Sequence, residues 1–217
     1  MIPSLPSSPV LCLVTNRNIC DSDDLIRDLN ASIGAGINMV QIREKDLPGK
    51  VLLCQVEQFK KCIKERALLI VNERVDIALL GRADGVHLGE NGISVYDARR
   101  ILGESFLIGK SVHSIDAAIA AEQAGADYLI VGTVFQSMTH LEEKGKGIQF
   151  LKKLKGKVEI PYIGIGGINK TNARSVIDSG ASGVAVMRSI LASNDRVTEA
   201  FNIRSAMVDT IGKLEFA

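Results

Sequence analysis

The sequence predicts a (β/α)8 barrel, and three observations carry that prediction. Short runs rich in Val, Ile and Leu alternate with helical patterns from one end of the 217-residue chain to the other. Most of these runs are continuously apolar rather than alternating, as expected of strands buried on both faces of a parallel sheet. No proline- or glycine-rich linker divides the chain, so residues 1–217 read as one domain with a loose N-terminus over 1–9, which holds Pro3, Pro6 and Pro9. A doubly wound sheet with some strands miscounted is the competing architecture.

In chain order the strands are expected at "VLCLVT" (10–15), "NMVQIR" (38–43), "LLIVN" (68–72), "DGVHL" (84–88), "FLIGKS" (106–111), "DYLIVG" (127–132), "PYIGIG" (161–166) and "SGVAVM" (182–187). Between the first two, "DDLIRDLNASIGAG" places Leu25, Leu29 and Ile33 at helical spacing. After the fifth, "SIDAAIAAEQAG" opens on Ser114 as N-cap and closes on Gly125. "KTNARSVIDSGA" has a similar form. The longest irregular stretch, "TVFQSMTHLEEKGKG" (133–147), follows the sixth strand and would overhang the face where barrels build active sites.

Bulk properties narrow the class. Apolar residues make up 46% and charged residues 24%, and the net charge is +1 with no long run of one sign. Neither a nucleic-acid partner nor a membrane surface is implied. The four cysteines, Cys12, Cys20, Cys54 and Cys62, lack metal-ligand spacing, and reduced thiols fit a chain of this size. No run approaches the roughly 18 apolar residues of a membrane span. The N-terminal stretch lacks the basic-then-apolar order of a signal peptide, so a cytoplasmic protein is expected. A homo-oligomer is compatible with the sequence.

In such a barrel the C-terminal strand ends supply the site. Those ends carry Thr15; Gln41, Arg43 and Lys45; Asn72 and Glu73; His87; Ser111 and His113; Thr133; then "GIGG" and "VMRS". The set is polar and mostly cationic, which points to a small anionic ligand. Alternation along "VQIREK" would put Gln41, Arg43 and Lys45 on one side, although Glu44 and Asp46 could neutralise them into a solvated cluster. Gly166 and Gly167 would let backbone N–H groups approach an anion, and Met187 and Arg188 open the last turn of the mouth. Glu73 reads better as the start of a helix than as a ligand. His87 would face the interior as a structural histidine if Val86 and Leu88 face the helices. His113, beyond the strand end beside Ser111 and Ser114, is equally open to a catalytic and a structural reading.

The ordered segments "VQIREK", "LIVNERVDIA", "GVHLG", "IGKSVHS", "AGADYLIVGTVF", "IPYIGIGGI" and "SGVAVM" resemble the thiamine phosphate synthase/TenI superfamily across nearly the whole chain. The resemblance implies a (β/α)8 barrel whose partners are a phosphorylated thiazole or thiamine phosphate and, in the synthases, a pyrimidine pyrophosphate. Synthases carry magnesium-ligating aspartates where this chain has Glu73 and Gly92, and a lysine where it has His140 after Ser137 and Thr139. "SVHS" and "EKGKGI" look instead like the TenI branch. That resemblance implies a thiazole tautomerase with His113 as proton shuttle, no cofactor, and no metal. A synthase, with Mg2+ and Glu73 as a ligand, and a non-catalytic regulatory binder are the alternatives.

Overall fold

Strands buried on both faces need helices outside and packed side chains within. The computed structural model, which describes residues 4–7, 9–136, 145 and 147–208, has that form. The strands are β1 (Val10–Val14), β2 (Met39–Ile42), β3 (Leu68–Asn72), β4 (Gly85–Leu88), β5 (Leu107–Val112), β6 (Tyr128–Val131), β7 (Tyr162–Ile165) and β8 (Gly183–Val186). They pair in parallel in chain order, and β8 returns to β1 to close the barrel. This (β/α)8 closure removes the doubly wound alternative.

Around it lie α1 (Ser22–Gly34), α2 (Gly49–Ile63), α3 (Val75–Leu80), α4 (Val95–Leu102), α5 (Ile115–Gln123), α6 (Gly147–Leu154), α7 (Ala173–Asp178), α8 (Arg188–Leu191) and α9 (Arg196–Met207). Leu25, Leu29 and Ile33 of α1 are buried against the sheet, as their spacing predicts. Ser114 caps α5 by accepting from Ala117 N–H. The seventh helix starts later than "KTNARSV" suggests. Asn169 accepts from Thr171 N–H and Oγ1, and Asn172 Oδ1 accepts from Asn169 N–H, so side chains hold a turn where a helix would begin. Most predicted strands overrun the ladders by one residue at one or both ends. Thr15, for example, still donates its N–H to Gln41 O at 2.9 Å just past β1.

Alternation sorts each strand into two cores. Val86 and Leu88 join the outer core beneath the helices, whereas Val10, Cys12, Met39, Ile70, Leu107, Tyr128, Ile163 and Ala185 belong to the inner cluster. Tyr128 is the largest fully buried side chain, and its ring lies across Gly109 of the neighbouring strand. A Cβ added at Gly109 would fall 2.2 Å from Tyr128 Cζ. Glycine at 109 is therefore what admits the tyrosine to the barrel axis.

His87 faces this interior, as expected. It is 3% exposed, its ring centroid lies 5.9 Å from that of Tyr128, and its Nε2 shares a 2.8 Å hydrogen bond with Ser111 Oγ. Burial, aided by Lys110 and Arg43, pushes the imidazole down to about 3, so it is neutral at physiological pH.

Two outcomes follow from this interior. Gly109→Ala should destabilise the protein by about 1–3 kcal/mol in urea unfolding, the usual cost of overpacking, and much less in a Tyr128→Leu background. Equal costs in both backgrounds would contradict the Gly109–Tyr128 fit. For His87, the unfolded chain takes up a proton near pH 6.5 while the folded one resists until about 3. Its contribution is thus intact above pH 6.5 and is lost as pH falls toward 3, by up to about 1.4 kcal/mol per unit. Unfolding of His87→Gln at pH 6.5 and 4.5 should show a shallower loss than the parent, and identical losses would acquit His87.

Candidate active site

At the C-terminal mouth each strand contributes one inward side chain to the floor of a cavity of about 780 Å³. The floor has two halves. Gln41, Asn72, His87 and Ser111, from β2 to β5, form a polar half. Ile130, Ile165, Ala185 and Val14, from β6 through β8 to β1, form an apolar half. The split is a consequence of which inward residue each strand presents at its C-terminal end.

In the polar half, Gln41 Nε2 donates to Asn72 Oδ1 at 3.0 Å, and Asn72 Nδ2 donates to Glu73 Oε2 at 3.3 Å. Gln41 Oε1 is buried and has no partner among the described residues. Arg43 lines the wall above and makes no ion pair among the described residues. The acids that could have neutralised it are committed elsewhere: Asp46 takes both terminal nitrogens of Arg17, and Glu44 also pairs with Arg17. The positive charge of Arg43 therefore faces the cavity.

His113 lies just past β5 with its side chain 38% exposed, and lines the cavity. Its Nδ1–H donates to Gly132 O at 2.8 Å, which leaves Nε2 as the basic nitrogen, 3.7 Å from Glu90 Oε2. Over the apolar half, Gly166 and Gly167 adopt φ of 105° and 63°. A Cβ at Gly167 would lie 2.6 Å from Gln136 O, so neither the backbone conformation nor the space admits a side chain. Met187, Arg188 and Ser189 complete that rim. Arg188, like Arg43, makes no ion pair among the described residues, and Ser189 Oγ is buried without a partner among them.

Three expectations need correcting or placing. Lys45 is exposed and outside the cavity wall, because β2 ends at Ile42 and alternation does not carry beyond it. Glu73 does not start a helix: it has φ 61°, α3 begins at Val75, and a Cβ at Gly89 would lie 2.4 Å from its Oε1. Ser137, Thr139 and His140 lie outside the described residues. Conversely, sequence reading missed Asn169, Lys170, Thr171 and Glu199, all on the wall. Lys170 directly follows "GGIN" and could have been suspected. Glu199, which meets its ammonium at 3.0 Å from α9, carries no local signal.

Among the described residues no helix is long and apolar enough to cross a membrane. Nor do they include a cluster of three His, Cys, Asp or Glu side chains that could hold a metal.

Comparison with known proteins gives this geometry its context. The family model described as thiamine monophosphate synthase (TMP-TENI) matches residues 11–190. The chain is 38% identical over 197 residues to the thiamine-phosphate synthase of Clostridium acetobutylicum, covering 89% of this chain and 93% of that one. It is 37% identical over 185 residues to that of Methanosarcina mazei, covering 84% and 76% respectively. The structure of thiamine phosphate pyrophosphorylase from Pyrococcus furiosus superposes with a TM-score of 0.83 at 32% identity, over 91% of this chain and 95% of that one. These relatives overturn the expectation of a TenI-branch tautomerase, and with it the isomerase class: the two sequence relatives carry the name of the synthase, a transferase, and none is named a tautomerase. With the barrel, the cationic mouth and a match over most of its length in agreement, the chain belongs to the thiamine monophosphate synthase (TMP-TENI) family.

Proposed function

We propose that the protein is a thiamine phosphate synthase, joining a pyrimidine pyrophosphate to a thiazole phosphate with release of pyrophosphate. Besides the names of its relatives, the observation that carries this reading is a single cavity with two uncommitted guanidinium groups, Arg43 over the polar half and Arg188 over the apolar half. A coupling of two phosphorylated molecules needs an anion-holding end for each and a shared space between them.

In this reading Arg43, Gln41, Asn72 and Ser111 hold the pyrimidine and its diphosphate. The backbone of Gly166 and Gly167, with Met187 and Arg188, holds the thiazole phosphate. The thiazole nitrogen forms a C–N bond to the pyrimidine methylene carbon as the C–O bond to the diphosphate breaks, and the electron pair leaves with pyrophosphate. Arg43 meets the charge that develops on that leaving group. The coupling moves no proton that His113 must carry, so His113 is a polar contact on the wall between the two ends.

The synthase reading also implies magnesium. Of the two positions that would ligate it, Glu73 offers a carboxylate and Gly92 offers no side chain; a Cβ at Gly92 would stand 3.6 Å from Glu73 Oε1. The residues at those positions do not make a two-carboxylate site, and the steps above rest on the chain's own cations.

The test is formation of thiamine phosphate and pyrophosphate from the two substrates by the purified protein, beside an active relative as control. Turnover is expected. Arg43→Ala should lower kcat by about 10²-fold or more, as for loss of a group that meets developing charge. Arg188→Ala should mainly raise KM for thiazole phosphate, on the order of tenfold. No coupling by the folded parent while the control turns over would overturn the reading.

A further inference from the structure

Glu44 is a carboxylate with a side chain only 3% exposed, beside the cavity but not on its wall. A buried charge is tolerated only where hydrogen bonds and an opposite charge replace water. Here Oε1 accepts from Thr15 Oγ1 at 2.7 Å, and both oxygens accept from Arg17 N–H at 3.2 Å. Arg17 Nη1 lies 3.4 Å from Oε2 while the same guanidinium grips Asp46. Thr15 is itself 2% exposed and tied to β2 through its N–H to Gln41 O.

The Thr15 hydroxyl has one proton and two lone pairs. Its proton goes to Glu44, which turns a lone pair toward Arg43 N–H, accepted at 3.0 Å. Carboxylate, hydroxyl and amide thus form one directed chain that ends on the backbone of the residue whose guanidinium faces the cavity. The donation to Glu44 polarises the hydroxyl and strengthens its acceptance from Arg43. We propose that Glu44 is a positioning residue that acts through Thr15 to hold Arg43 for the anionic end of the substrate. The inference rests on the reading of Arg43 as the diphosphate contact, and the experiment separates the two.

The probe is inorganic pyrophosphate, titrated calorimetrically into the full-length protein, with melting temperature followed in parallel. Arg43→Ala should weaken binding. Glu44→Gln keeps the size and removes the charge, and should weaken binding on the order of tenfold. Thr15→Val breaks the relay while leaving Glu44 with Arg17, and should do the same if Glu44→Gln proves too unstable to assay. Thr15→Ser, which retains the hydroxyl, should bind as the parent does. The decisive arm is the Arg43→Ala background, where Glu44→Gln should add less than about twofold, because the group it positions is gone.

If Arg43→Ala leaves pyrophosphate affinity unchanged, the anion contact itself is wrong and the positioning role falls with it. If Arg43→Ala weakens binding but a folded Thr15→Val does not, or Glu44→Gln costs as much without Arg43 as with it, the contact stands and the positioning role is overturned.

Discussion

In a closed parallel barrel every second residue of each strand points inward, alternate strands filling successive layers, and the rest of this molecule follows from which side chains those are. Lower down, the Tyr128 ring lies over Gly109 within the inner hydrophobic cluster. Toward the C-terminal mouth, the inward residues of β2 to β5 are Gln41, Asn72, His87 and Ser111, while those of the other four strands are apolar. The packed core therefore ends in a floor divided between hydrogen-bonding groups and hydrocarbon. In the proposed reading this floor carries two ring systems of different character, with their phosphates held by the loops above.

Charge in the site is set by pairing as much as by residue type. Arg17 takes up Glu44 and Asp46, and Lys170 meets Glu199, so these three acids are matched to other cations. Arg43 and Arg188 make no ion pair among the described residues, and the proposed reading assigns both to ligand. His87 adds no charge, since its burial keeps the ring neutral even in the company of Lys110 and Arg43.

The strands were legible because burial on both faces writes a continuous apolar run, and His87 was placed correctly because Val86 and Leu88 flank it with outward-facing bulk. Gly166 and Gly167 were legible as a close-approach turn. What failed did so where strand periodicity ends. Lys45 was extrapolated past Ile42, and the left-handed backbone at Glu73 has no signature in a non-glycine residue. The Glu44–Arg17 pairing joins residues 27 positions apart, and nothing local announces it. The branch of the family is not legible from His113, Glu73 and Gly92 alone, because the likeness to synthases is spread through nearly the whole chain.

The central claim is that one cavity holds two anions at once, at ends marked by Arg43 and Arg188. The most direct measurement is calorimetric titration of thiazole phosphate into protein already saturated with inorganic pyrophosphate. The account predicts one-to-one binding of thiazole phosphate with affinity close to that for the pyrophosphate-free protein, since each occupies its own end. Mutual exclusion, with apparent affinity falling in proportion to pyrophosphate concentration, would mean a single anion site and would contradict the account.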